Sequence, residues 1–339
     1  MRIGTSLMYA GDPRTAADEV ASWEEAGLDV LWVAEAYGFD APTIMGYLAA
    51  RTTRVEIGSA ILPIYSRTPT LIAQTAAGLD AVSGGRAILG LGASGPQVIE
   101  GWHGVRYDRP LARTRETIEI CRAVWRRKRL AHDGLYRLPL PGSAYGKSLK
   151  ILTRPVRSRI PIYVAALGAR NVEMTASIAD GWLPFLFSPS AAPAVWGPDL
   201  TAGLASRDPA LGPLEIVAGG PLAIGDDVTG LRDLARPLIA LYVGGMGARG
   251  RNFYHDVVSR YGYAAEADRI QELYLAGRKD EAAAAVPAAL LEETSLIGPL
   301  SYVRDRIAAY REAGVTVLNV TPLGPDPRKS IAQVKELVS

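Results

Sequence analysis

The stretch "RAILGLGASGPQVIEGWHG", Arg86–Gly104, decides how the chain is to be read. It starts as a strand and then places glycines at 90, 92 and 95, the G-x-G-x-x-G spacing of a dinucleotide-binding turn. A Rossmann turn of this kind should open the fold, and its third glycine should lie inside a helix. Here three strand–helix units precede it, Pro96 directly follows Gly95, and the next strong helical pattern begins at Leu111. About 20 residues on, where a ribose-binding carboxylate belongs, stands the helix interior "RTRETIE". The glycines therefore belong to something other than a nicotinamide site.

Working outward, apolar strand patterns alternate with amphipathic helices along the chain. "MRIGTSLM", "DVLWVAE", "RVEIGSAIL" and "RAILGLGAS" precede "IPIYVAAL", "GWLPFLF", "LEIVAGGPLAIG" and "VTVLNVTPL", and each is followed sooner or later by a helix. Strict βα alternation implies a parallel sheet. Eight units predict an α/β fold closed as a (β/α)8 TIM barrel, its interior filled by the Val, Ile, Leu and Ala of the strands. Such a barrel takes about 250 residues, so the chain carries a surplus. It falls in an excursion after helix 4, residues 129–159, and in a helical insertion after strand 7, residues 226–297. With no linker and no repeat, residues 1–339 read as one domain.

Composition excludes several functions. Of 339 residues, 48% are hydrophobic and 21% charged, with a net charge of +2, so no concentrated basic face points to nucleic acid. The basic run "WRRKR", 125–129, suits the end of a helix. No apolar run is long enough to span a membrane, and strand 1 starts at once without a leader pattern, so the expectation is a cytoplasmic protein. Cys121 is the only cysteine and fits a helix core. The histidines at 103, 132 and 255 are scattered, without H-x-x-H or H-E-x-x-H spacing, and no G-x-S-x-G elbow occurs; no catalytic metal and no hydrolytic nucleophile are expected.

Four stretches taken together carry a family resemblance. They are "AGLDVLWVAEAYGFDAP" (26–42), the segment 54–96 ending in "GLGASGP", "PIYVAALGARNVEMTASIADGW" (161–182) and "LYVGGMGARGRNFY" (241–254). The chain resembles the bacterial luciferase-like superfamily. More narrowly it resembles the deazaflavin (coenzyme F420)-dependent oxidoreductases, the group of methylenetetrahydromethanopterin reductase, and within them an actinobacterial subgroup. The resemblance implies F420 in the barrel mouth and a non-prolyl cis peptide at Ala60–Ile61 backing the deazaflavin ring. It also implies the phosphate-bearing tail at "ALGARN", where Ala166, Leu167 and Gly168 turn into a helix starting at Ala169, with Arg170 adding charge. A helix N-terminus offers free N–H groups to an anion. Gly92, Ser94 and Gly95 stand at the ligand-binding end of strand 4.

Glu35 ends strand 2, where members often carry an Asp-His pair; here the pair reads Glu35–Ala36. Glu35 is the candidate for a ring contact or a proton-handling group, with a salt bridge or helix cap as its alternative. His103 is the second acid/base candidate. Tyr9, Tyr65, Arg67 and Trp102 are further candidates for ligand contact. The segment 241–262, with glycines at 244, 245, 247 and 250, Arg249 and Arg251, and Phe253 and Tyr254, reads as a lid closing over an acidic tail or as a surface hairpin. A polar inventory this sparse suits hydride transfer, in which the cofactor carries the chemistry. The expected function is F420-dependent reduction of a small organic substrate, by a homodimer as the family implies. An FMN-dependent monooxygenase and a non-catalytic flavin or deazaflavin binder are the alternatives.

Overall fold

The computed structural model describes residues 1–7 and 12–339. Eight parallel strands close on themselves: β1 (Arg2–Leu7), β2 (Val30–Val33), β3 (Glu56–Ser59), β4 (Ala87–Gly92), β5 (Ile162–Ala165), β6 (Gly181–Leu183), β7 (Glu215–Ala218) and β8 (Val317–Asn319). Pairing of Ile57 with Ala87 joins β3 to β4, and pairing of Ile3 with Leu318 joins β8 to β1. Around the barrel lie α1 (Pro13–Glu25), α2 (Ala41–Arg51), α3 (Pro69–Val82), α4 (Pro110–Trp125), α5 (Ala169–Ile178), α6 (Ala192–Ala205), α7 (Leu300–Glu312) and α8 (Pro327–Val338). The chain is a (β/α)8 barrel.

Local sequence explains the helix starts. Asp12, Asp40 and Thr68 accept from the backbone N–H of Arg14, Thr43 and Leu71, and a proline follows each within the first turn. Helix α5 differs: its cap is Gly168, which has no side chain to offer.

Within the barrel, Val30, Trp32, Ile88, Tyr163, Val217 and Val317 form a cluster of their own. The Trp32 and Tyr163 rings lie 5.3 Å apart. Glycines make room for them: a Cβ on Gly58 or on Gly181 would stand 2.4 Å from the Trp32 or the Tyr163 ring. Nothing larger than hydrogen fits at these two strand positions.

Segment 126–161 links α4 to β5 and contains a small hairpin, His132–Asp133 with Arg137–Leu138. Arg157 ties it to the barrel through the buried Asp80 at 2.9 Å and the Ala87 carbonyl at 2.6 Å. The stretch 214–225 is not the single strand its pattern predicts. After β7, Gly219 and Gly220 break the barrel register, and Pro221–Ile224 pairs instead with Leu296–Gly298 and Thr321–Pro322 in a second, three-stranded sheet. Close approach forces the break: a Cβ on Gly219 would lie 2.2 Å from the Asn319 carbonyl oxygen. The helices between Thr229 and Glu293 pack on their own cluster, including Val243, Val258, Ile270 and Leu290. Among the described residues no helix is long and apolar enough to cross a membrane.

Candidate active site

A cavity of about 590 Å³ opens at the C-terminal ends of the barrel strands, where TIM barrels carry their ligands. Its walls hold Ala60, Ile61, Gly92, Ser94, Gly95, Ala166, Leu167, Gly168, Ala169 and Arg170, ten of the positions singled out in the sequence. Glu35 and His103 are not on that wall.

The β3–β4 side of the cavity is built by close backbone approach. Ser59 Oγ donates to the Gly90 carbonyl at 2.8 Å and accepts from the Gly90 N–H at 2.9 Å. A Cβ on Gly90 would stand 1.7 Å from the Ser59 carbonyl oxygen, so this glycine serves the barrel wall and no ligand. Beyond Ser59 the peptide Ala60–Ile61 is cis. Gly92 lies against Ile61, whose side chain a Cβ would meet at 2.8 Å. Ser94 takes the left-handed conformation, φ 58°, uncommon for a residue with a side chain. Directly after Gly95 a short helix, Pro96–Gly101, begins, earlier than the pattern suggested. Gly95 caps it and Pro96 occupies its first turn.

Across the cavity, β5 ends at Ala165 and Gly168 caps α5. Asn171 and Val172 donate their N–H groups to the Gly168 carbonyl, but those of Leu167, Gly168, Ala169 and Arg170 find no acceptor among the described residues. Arg170 is exposed at the mouth and makes no ion pair with a described residue. Arg251 is likewise exposed, without an ion pair to a described residue, and on the cavity wall. Among the described wall residues no carboxylate offsets these two cations.

Two acid/base candidates lie off the cavity wall, and for Glu35 the structure shows the salt bridge and helix cap of the alternative reading. Glu35 is 5% exposed. Its carboxylate accepts from Arg67 at 2.6 and 2.8 Å and from the Ala41 N–H at 2.9 Å. It is a buried salt bridge and a cap for α2, and both oxygens are consumed away from the cavity. Arg67 also donates to Asp40 at 2.5 Å and so has no fork left for an anionic tail. Burial works against the Arg67 guanidinium, but the bonds to Glu35 and Asp40 outweigh it and hold its pKa above the ordinary value. His103 sits off the cavity, and its buried Nε2 finds no hydrogen-bond partner among the described residues. Trp102 is 68% exposed and meets Tyr37 on the surface. Tyr65 is buried, its hydroxyl donating to the Asp108 carbonyl at 2.8 Å. Tyr9 lies outside the described residues.

The segment 241–262 forms part of the wall through Tyr242, Met246, Arg251, Phe253 and Tyr254. Tyr242 and Tyr254 pack with Phe185, ring centres 4.3 to 5.4 Å apart. Arg249 points elsewhere, into a separate shallow groove beside Asp268 and Arg269. Sequence reasoning missed the floor: Ser6, Trp32, Val217 and Asn319. These lie in strands whose apolar patterns look like ordinary core, and only the barrel's closure brings them under one cavity. Tyr107 was missed too. Its hydroxyl donates to the Ser94 carbonyl at 3.3 Å, and burial pushes its pKa up. Among the described residues no group of three His, Cys, Asp or Glu side chains could hold a metal ion.

With this geometry in hand, comparisons with known proteins become informative. The profile of the luciferase-like monooxygenase family matches residues 1–317. A protein of Mycobacterium tuberculosis H37Rv, provisionally named a coenzyme F420-dependent oxidoreductase, is 42% identical over 334 residues, 95% of each chain. The 5,10-methylenetetrahydromethanopterin reductase of Archaeoglobus fulgidus is 28% identical over 324 residues, covering 93% of this chain and 92% of that one. The coenzyme F420-dependent tetrahydromethanopterin reductase of Methanopyrus kandleri superposes with a TM-score of 0.81 at 24% identity, over 98% of this chain and 96% of that one. The match over almost the whole barrel settles the kinship: this chain belongs to the luciferase-like monooxygenase family.

Proposed function

We propose that the protein is a coenzyme F420-dependent oxidoreductase that moves a hydride between the deazaflavin and a small organic substrate, working as an F420H2-dependent reductase. The observation that carries this reading is the pairing of two walls. One is an apolar surface of Ala60, Ile61 and Gly92; the other is a helix start without a side-chain cap, where N–H groups and two arginines, Arg170 and Arg251, find no partner among the described residues. A planar ring with an anionic tail has those two needs. The volume, about 590 Å³, lies in the range of cofactor pockets. The name of the 42% identical relative supports the choice of F420.

In this reading Ala60, Ile61 and Gly92 back the ring, and the 166–171 turn, with Arg170 and Arg251, receives the tail. When bound, reduced F420 supplies the hydride. Phe185, Tyr242 and Tyr254 shield the reacting groups from water, and Trp32 and Val217 close the floor beneath. The described wall holds no carboxylate or imidazole, and its O–H protons belong to serine and tyrosine side chains. The protein's contribution is therefore orientation and water exclusion more than acid–base chemistry. A homodimer belongs to the same proposal. The test is titration of the purified protein with F420 and with FMN, followed by substrate-dependent oxidation of F420H2. Tighter binding of F420 supports the reading. Tighter binding of FMN with reductant-linked oxygen consumption defeats it.

A further inference from the structure

The turn that presents the unbonded N–H groups is held from behind. The Ala166 carbonyl accepts from Trp182 Nε1 at 2.8 Å. The Leu167 carbonyl accepts twice, from Trp196 Nε1 at 3.0 Å and from Arg260 Nη2 at 3.2 Å. Trp182 and Trp196 are fully buried and meet edge to face, ring centres 5.2 Å apart. Arg260 comes from the insertion. Its guanidinium lies 6.0 Å from the Trp196 ring centre, and its Nη1 donates to the Val195 carbonyl at 3.2 Å. None of these three residues is on the cavity wall.

The peptide group makes this arrangement directional. The carbonyl of Leu167 and the N–H of Gly168 belong to one planar trans unit, and the two bonds point to opposite sides of it. Fixing the carbonyl outward on an indole and a guanidinium turns that N–H toward the cavity. The same holds for the Ala166 carbonyl and the Leu167 N–H. Donors on the carbonyl also polarise the peptide and strengthen its N–H as a donor. The cap residue, Gly168, has no side chain that could orient the turn from the front. The orientation is therefore set from the rear, and one of its three supports belongs to the insertion.

We propose that Trp182, Trp196 and Arg260 are positioning residues that hold the 166–168 turn in an anion-receiving orientation, so that the insertion controls affinity for the phosphate-bearing part of the cofactor. This rests on the F420 reading and names a residue set that the cavity wall does not reveal. Arg260 rather than Arg249 is then the arginine of the insertion that acts on the anion turn, and it acts through backbone.

The experiment compares F420 with its fragment 7,8-didemethyl-8-hydroxy-5-deazariboflavin, which carries the same ring and sugar alcohol without phosphate or tail. Dissociation constants for both are measured by ligand fluorescence on the unsubstituted protein and on Arg260→Gln, Arg260→Lys and Trp196→Phe. Arg260 is exposed, Trp196 is buried, and thermal melting checks that every variant keeps the fold. Expected are a roughly tenfold loss of F420 affinity in Arg260→Gln and Trp196→Phe, as for loss of a bond to a polarised or charged group. The fragment should change less than about twofold, and Arg260→Lys should regain part of the loss. Equal weakening of both ligands, or unchanged F420 binding, overturns the inference. If the unsubstituted protein binds neither ligand, the cofactor reading fails and takes this inference with it; if it binds both equally, this inference fails alone.

Discussion

Two arginine sites at the same end of the barrel have opposite fates. Arg67, after β3, gives its fork to Glu35 and Asp40 and is largely buried. Arg170, at the start of α5, meets no described carboxylate and stands open at the cavity mouth. In sequence both are basic residues beyond a barrel strand, and both were candidates for ligand contact. What separates them is the neighbouring loop. The β2 loop brings two carboxylates to Arg67, while the wall near Arg170 brings another cation, Arg251. A cation already paired in a buried site has spent its directional bonds on the fold, whereas an unpaired one at a mouth keeps them for a ligand.

The largest effect that can break this comparison is on stability. Glu35→Ala leaves Arg67 buried without its main partner, and losing one member of a buried pair costs about 3 kcal/mol or more. Chemical denaturation should show that loss, with F420 affinity kept within about twofold. Full stability with lost turnover would return Glu35 to the reacting centre. Next is the open pair. Arg170→Ala combined with Arg251→Ala should weaken F420 by about 2–3 kcal/mol, on the order of a hundredfold. It should also flatten the salt dependence of binding while melting temperature holds. Unchanged affinity would show that the tail lies elsewhere.

A smaller effect sharpens the paired side. Burial pushes the Asp40 carboxyl up, but its bonds to Thr43 and Arg67 outweigh that and hold its pKa below the ordinary aspartate value. A carboxylate lowered in the fold stabilises the protein above its unfolded pKa and loses that contribution as pH falls through the folded value. The melting-temperature gap between the unsubstituted protein and Asp40→Asn should therefore be constant near neutrality and close as pH drops below about 4. A gap that widens in acid would reverse the assignment. The smallest expected effect is none: Arg249→Ala should leave F420 affinity within about twofold, because Arg249 lines the outer groove. Loss comparable to Arg251→Ala would extend the tail site across the 248–251 turn.

Much of the site was legible because it is made of backbone. Strand ends, glycine spacing and a helix start are local matters, so Gly92, Ser94, Gly95 and the 166–170 turn could be found from short windows of sequence. The cis peptide at Ala60–Ile61 also lies where the family resemblance implied it. The same windows could not decide between the two readings of Glu35 or place His103, because a side chain's role depends on what stands opposite it. Arg67 meets Glu35 from 32 positions away, and no pattern within either segment announces the pair.

By itself, the sequence determined the alternation of strands and helices, and with it the barrel and the end at which its cavity opens; hydrophobic period and turn chemistry act over a few residues. Tertiary structure decided which charges are spent and which remain free. It also decided that Trp32, Val217 and Asn319 share one floor, and that Trp196 and Arg260 brace a turn about thirty and ninety residues away. Those outcomes depend on distances between strands and loops remote in the chain. They are fixed only when the barrel closes and the insertion packs against it.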